Sequence, residues 1–374
     1  MKTTNFAHLV LFFTQGSSLA VWESAGLFSR EVQLYKWLNE RGIKITFITY
    51  GTGGDLNFSS QLRGIRIICN QWSLPEWLYV RLLPLLLFFF VGRHWIGKSN
   101  QSLGAEIGLA VARKNHKFIT RNGYLFSLNE ERSHGKASWE AKRAHSLERR
   151  LFVQSDKIVV TTESMKEKII ELYHTDPHKI VVIPNYVDID LFTPLSVAKK
   201  RKFTIGFVGR LVKNKNPEAL LQAIQGLDIR LVMVGGGQLA KQLEELAKAQ
   251  GSELQIMGIL PNNQIPAILN QCDLFVLPSL YEGHPKSLLE AMACGLAVIA
   301  TDVPGNRELI RHEVDGILCG TSRSELRQAI LMLNENATLR RRLGQNARRR
   351  VVEEFSLDRI AKMEMDLLRE MSAS

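Results

Sequence analysis

Short apolar runs, each followed by a stretch with helical periodicity, recur along the whole chain, and this alternation restricts the fold more than any other feature. In the first half the runs lie at 9–13, 44–50, 65–69, 117–120, 157–161 and 180–183. Between the first two, residues 27–41 place Leu27, Val32, Leu34, Tyr35 and Leu38 at near-helical spacing, which reads as a crossover helix. In the second half, runs at 204–208, 230–234, 254–257, 274–277, 297–300 and 316–318 alternate with helical patterns such as 217–225 and 238–250. Strands that alternate with helices form parallel, doubly wound sheets. At 374 residues the chain is too long for one ordinary core, so an α/β protein of two Rossmann-like domains facing across a cleft is expected. The boundary falls after Pro184, near a polar, basic stretch at 196–202. The expected domains are 1–184 and 185–356, with a last helix at 357–374 packing back onto the first.

Composition excludes several classes. Apolar residues make up 45% and charged residues 23%, and Gly and Pro total only 38 (27 and 11), so collagen-like, low-complexity and disordered chains are ruled out. Cys69, Cys272, Cys294 and Cys319 form no C-x-x-C pair and read as reduced core thiols. The first 20 residues hold one lysine and a short apolar run before Ser18-Leu19-Ala20; the run is too short for a signal peptide, and Gln15-Gly16-Ser17-Ser18 reads as the loop after a buried strand. The expected location is the cytoplasm, with peripheral attachment to the inner face of the membrane.

That attachment is suggested by charge and by one segment. Residues up to Pro184 carry 24 Lys/Arg against 15 Asp/Glu, while the remainder carries 24 against 22; the two sum to the net +11. A basic half suits an anionic membrane surface, a polyanion or a phosphorylated substrate, or is a solvated basic surface with no partner. Nucleic acid is not expected, because no basic stretch interleaves aromatics and no recognition motif occurs. The segment 77–91, W-L-Y-V-R-L-L-P-L-L-L-F-F-F-V, has an unbroken apolar run only from 82 to 91, about half of what spans a bilayer. With Arg81, Arg93 and Lys98 nearby, it reads either as an interfacial helix or as a buried helix of the first domain.

In doubly wound folds chemistry sits in the loops that follow strands. After the run at 204–208 come Gly209-Arg210 and, five residues later, Lys215, just before Asn216-Pro217 opens a helix. Two cations beside a helix amino terminus form an anion site; they also fit two solvated side chains. After the run at 274–277 the chain reads P-S-L-Y-E-G-H-P-K-S-L-L-E-A-M-A-C-G, with a helix expected to begin near Lys286 or Ser287. Its free N–H groups suit a second phosphate, and Glu282 or Glu290, facing a pocket, could hold vicinal hydroxyls. A capping Glu and an exposed helical Glu would give the same letters.

Glu282-x7-Glu290 in this setting resembles the signature of the retaining GT-B glycosyltransferases of family GT4. Pro184-Asn185-x-Val187-Asp188-x3-Phe192 resembles the family's hinge and Gly209-Arg210-x4-Lys215 its diphosphate clamp. Val234-Gly235-x-Gly237 resembles its glycine turn, Asp302-Val303-Pro304-Gly305-Asn306-x-Glu308 its D-x-G-G-x-x-E segment, and Asp315-Gly316 the turn before the last strand. The likeness is close over about 183–356 and loose before it. It implies that Arg210 and Lys215 bind the donor diphosphate, Glu290 the ribose, and Glu282 the transferred sugar. Backbone amides around the stretch Gly283, His284, Pro285, Lys286, Ser287 and Leu288 would surround phosphate, Pro285 itself having no N–H to give, while the loop 258–262, with Gly258 and Ile259, would border the base. His284 could touch donor or acceptor or stand by.

The chain departs from the family at three places. Ala25-Gly26 replaces a glycine pair, though Gly26 alone still admits a ligand close to backbone. Thr120-Arg121-Asn122-Gly123-Tyr124 stands where a histidine is usual, making Arg121 the candidate for that catalytic position. Asp188-Ile189-Asp190 mimics a D-x-D metal motif but lies in the hinge pattern, so no metal site and no required metal are expected. The resemblance implies a nucleoside diphosphate sugar, most often of UDP, as donor and a glycan or lipid-linked molecule as acceptor, in cell-surface polysaccharide or glycolipid synthesis. It also implies a front-face route in which the leaving diphosphate takes the acceptor's proton. A nucleotide-sugar epimerase or hydrolase of the same fold and an inactive membrane-associated scaffold are the alternatives. A dehydrogenase is disfavoured, since Gly235-Gly236-Gly237 is not G-x-G-x-x-G.

Overall fold

The computed structural model describes residues 8–92, 94–112, 116–196 and 202–373. Arg93 and residues 197–201 of the basic boundary stretch lie outside that range. Two units emerge from the contacts: Met1–Ser24, Glu31–Pro184 and Ala361–Ser374 form the first, Ala25–Arg30 and Asn185–Ile360 the second.

The first unit holds β1 (His8–Phe12), β2 (Ile45–Ile48), β3 (Ile65–Ile68), β4 (Trp95–Ser99), β5 (Lys117–Asn122), β6 (Lys157–Val160) and β7 (Ile180–Val182). They pair in parallel in the order β3-β2-β1-β4-β5-β6-β7, so the direction of winding reverses between β1 and β4. Six of these strands coincide with apolar runs. The seventh, β4, reads Trp-Ile-Gly-Lys-Ser and carries no such signal, yet all five residues are buried. Gly97 is there because a Cβ would collide with the Phe118 ring, and Lys98 is tolerated because Glu364 of the Leu357–Ala373 helix pairs with it at 2.5 Å.

The Glu76–Phe90 helix bears out the buried reading of 77–91 on one face and leaves its other face exposed. Tyr79, Leu83 and Leu87 are buried in the first unit's core, while Trp77, Leu85, Phe88 and Phe89 are exposed. Among the described residues no helix is long and apolar enough to cross a membrane.

The second unit holds β8 (Phe203–Val208), β9 (Ile229–Val234), β10 (Glu253–Ile256), β11 (Leu274–Leu277), β12 (Ala297–Thr301) and β13 (Ile317–Cys319), parallel in the order β10-β9-β8-β11-β12-β13. Apolar clusters cover both faces of this sheet, which explains why its strands read as continuous hydrophobic runs. Its winding reverses between β8 and β11, which pair through Leu274 opposite Ile205. Loops leaving the carboxyl ends of those two strands flank the crevice where such sheets bind ligands.

Candidate donor site

Those two loops carry the candidate residues, and the fold brings them together. The loop after β8 runs through Gly209 and exposed Arg210 to a short 3-10 turn, Lys213–Lys215, and then to the Pro217–Ala223 helix. The loop after β11 runs through Ser279, Glu282 and Gly283 to the Lys286–Ala293 helix. A backbone bond from Leu280 N–H to the Asn214 carbonyl, 2.8 Å, ties one loop to the other.

Lys215 and Glu282, one from each loop, form a direct ion pair, and Ser279 Oγ donates to the same Glu282 oxygen at 2.7 Å. Both charged side chains are mostly shielded, so each carboxylate lone pair used here is unavailable elsewhere. The Arg210 guanidinium, in contrast, has no hydrogen-bond or ion-pair partner among the described residues. The signature helix forms because Lys-Ser-Leu-Leu-Glu-Ala-Met-Ala contains strong helix formers, and it ends before Gly295 at φ +73°. No side-chain hydrogen bond caps its amino end at Pro285, where the first N–H groups of any helix lack an intrahelical acceptor.

Glu290 lies one turn inside that helix and is 1% exposed. Its Oε1 accepts from Asn262 Nδ2 at 2.8 Å and from an Arg30 guanidinium nitrogen at 3.3 Å; its Oε2 has no partner. Burial, with this carboxylate close by, pushes the Cys294 thiol up to about 12, so that thiol stays protonated. Ser279 belongs to the P-S-x-x-E-G stretch of the signature, but Arg30 carries no local sequence signal, standing 260 positions from Glu290. Asn262 was indicated only as the end of the loop 258–262.

Glycines let these loops approach one another. Gly26 has φ +70°, and a Cβ there would strike the Leu260 carbonyl; Asn262 N–H donates to the Gly26 carbonyl at 3.1 Å. Gly235 and Gly237, at φ +136° and +156°, pack against the Gly209 and Leu211 carbonyls, so the triple glycine serves contact between two turns. Gly258 accepts from the Gly235 N–H at 2.8 Å, and exposed Ile259 lies over this turn.

The remaining candidates have defined positions. His284 is buried, its ring 5.5 Å from that of Phe355, and its carbonyl accepts from Asn185 Nδ2 at 2.7 Å, which fastens the hinge pattern to the signature loop. Asp188 Oδ1 accepts the backbone N–H groups of Asp190 and Leu191, so the D-x-D-like carboxylate shapes a turn. Among the described residues no group of three or more His, Cys, Asp or Glu could hold a metal ion. The Arg307 hydrogen bond holds the Asp302 carboxyl below its usual range. Arg121 belongs to the first unit, on β5, where its N–H donates to Ser99 Oγ at 3.0 Å.

Comparison with known proteins matches the family described as Glycosyl transferases group 1 over residues 188–350 and that described as Glycosyltransferase Family 4 over residues 30–191. An uncharacterised glycosyltransferase of Methanocaldococcus jannaschii is 28% identical, over 66% of this chain and 69% of that protein. The UDP-Gal:alpha-D-GlcNAc-diphosphoundecaprenol alpha-1,3-galactosyltransferase of Escherichia coli is 31% identical, over 54% of this chain and 58% of its own length. Alpha-maltose-1-phosphate synthase of Mycolicibacterium smegmatis is 28% identical, over 61% and 66%. Among solved structures, Anabaena HepE in complex with UDP and glucose aligns with a TM-score of 0.79 at 19% identity, covering 97% of this chain and 100% of that one. Sucrose-phosphate synthase of Thermosynechococcus elongatus aligns at 0.82 and 20% identity, covering 98% and 99%.

Proposed function

Because the chain belongs to glycosyltransferase family 4 and has the GT-B fold, we propose that it moves a hexosyl group from a UDP-sugar, with retention of anomeric configuration, to a glycan or lipid-linked acceptor. The setting is cell-surface polysaccharide or glycolipid assembly at the cytoplasmic face of a membrane. The observation that carries this reading is Glu290: a buried carboxylate with one oxygen fixed by Asn262 and the other without a partner suits the vicinal hydroxyls of a ribose. Arg210, the remaining N–H groups of Lys215 and the amides of Lys286 to Leu288 then receive the diphosphate.

In the transfer, the acceptor oxygen bonds to the anomeric carbon on the face that the diphosphate leaves. The bond from that carbon to the phosphate oxygen breaks, and the acceptor's proton passes to the departing phosphate oxygen. Glu282, engaged by Lys215 and Ser279, is poorly placed to act as a nucleophile, which favours this route over a covalent glycosyl-enzyme. Stabilising charge on the leaving group is then the protein's main contribution, and no divalent metal is required. A UDP-galactose enzyme among the relatives and a UDP-bound neighbour among the structures support the choice of base. The test is calorimetric titration with UDP, GDP and ADP in EDTA, followed by NMR of the product's anomeric proton. UDP should bind best without metal and the product should keep its donor's configuration; metal-dependent binding or an inverted product would refute the reading.

A further inference from the structure

The Glu76–Phe90 helix has more apolar surface than its core can use. Tyr79, Leu83 and Leu87, four residues apart, turn inward. On the opposite arc Trp77 is 68% exposed, Leu85 and Phe88 each 53%, and Phe89 70%, with Arg81 among them. Single exposed hydrophobics are ordinary, but a contiguous stripe of this kind marks an interaction surface.

Its surroundings indicate what it meets. The helix crosses from the carboxyl end of β3, over β2 and β1, to the amino end of β4, so Phe88 and Phe89 lie toward the amino-terminal edge of the first sheet. That edge also carries Arg63 before β3, Lys44 before β2 and Arg66 in β3, all exposed and without an ion-pair partner among the described residues. His8, at the start of β1, reports the resulting field: burial, followed by Arg66 and Lys44, lowers its imidazole to about 4.

We propose that this face of the first unit docks on an anionic phospholipid bilayer, the aromatic stripe entering the headgroup region while Arg63, Lys44, Arg66 and Arg81 meet lipid phosphates. Fifteen residues are too few to span, and the helix pairs apolar area with cations as interfacial helices do. A second copy of this chain is a poorer occupant, because two-fold pairing would bring like-charged edges together. The surface deepens the membrane setting of the proposed function, but it belongs to the first unit and the candidate donor site to the second, so lipid binding and UDP binding can fail separately.

The test is flotation of the full chain with vesicles of phosphatidylglycerol and phosphatidylcholine, beside vesicles of phosphatidylcholine alone. Binding to the anionic vesicles, weakened as salt rises, is expected. Phe88→Asp with Phe89→Asp should lower the partition coefficient by about 10-fold or more, as should Leu85→Glu to a lesser degree. Lys44→Glu with Arg66→Glu should remove the preference for anionic over neutral lipid. Circular dichroism melting and UDP titration check that each variant folds. A parent that does not float, or folded variants that float as well as the parent, would overturn the proposal; so would a dimer in sedimentation that these variants dissociate without any effect of lipid.

Discussion

At the scale of single residues, the donor-site side chains separate by what they face. In the proposed transfer Arg210 and Lys215 answer charge that grows on the leaving diphosphate, so alanine at either should depress kcat more than it raises the donor KM. A charge-assisted hydrogen bond contributes about 1.5–3 kcal/mol, which corresponds to a loss of roughly 10- to 150-fold. Glu290→Ala should act mainly on KM and on UDP affinity, because ribose hydroxyls gain no charge during transfer, and Asn262→Ala should do the same more weakly. Glu282→Ala should spare UDP affinity and impair turnover. Since Lys215 and Glu282 are paired, the Lys215→Ala, Glu282→Ala double variant should lose less than the sum of the singles. Calorimetry with UDP and steady-state kinetics on these variants decide it; equal additive losses, or parental turnover in all, would place the chemistry elsewhere. The placing of Arg210, Lys215, Glu282 and Glu290 beyond the carboxyl ends of β8 and β11 was legible because each follows a strand and sits at fixed spacing from a helix start. Arg30 was not: it stands early in the Phe28–Glu40 helix, and nothing local distinguishes it from a solvated surface arginine.

At the scale of elements, periodicity located the buried strands and failed where a strand was polar. The strands β8, β9 and β11 to β13 each match an apolar run within two residues, because both faces of that sheet are covered. The strand β4 escaped because its glycine and lysine answer partners at a distance, Phe118 and Glu364, which a window of neighbours does not contain. In the same way, the segment around Pro304–Arg307 looked like a motif without a reason until its geometry was visible. Gly305 lies directly against the Gly283 carbonyl, and Asn306 Nδ2 donates to the Thr301 carbonyl at 2.9 Å. Gly305→Ala should therefore push the signature loop away from its place. The expected outcome is a loss of about 1–3 kcal/mol in urea unfolding together with weaker UDP binding; a variant with parental stability and affinity would show that the loop yields freely.

At the scale of the whole molecule, the first unit is assembled from distant stretches of chain, and its seal is ionic. Lys98 is completely buried and its ammonium is disfavoured by burial, with the Glu364 carboxylate acting against that shift. Removing one partner leaves a charge in the core, so Glu364→Ala should lower the unfolding free energy by about 3–5 kcal/mol, whereas Lys98→Met with Glu364→Leu should be close to neutral. Urea denaturation followed by fluorescence measures both, and a harmless Glu364→Ala would mean that water reaches Lys98. The pair also sets an order of events during synthesis. Glu364 is made 266 residues after Lys98, which at about 5–20 residues per second is an interval on the order of 10–50 seconds. Throughout it the half of the protein that leaves the ribosome first holds an unanswered lysine, while nearly all of the second sheet's sequence emerges as one uninterrupted stretch. The earlier half thus lacks its last ionic partner until the later half has been made, and nascent chains arrested at residue 360 should be cut by protease faster within their first 184 residues than the released full chain is.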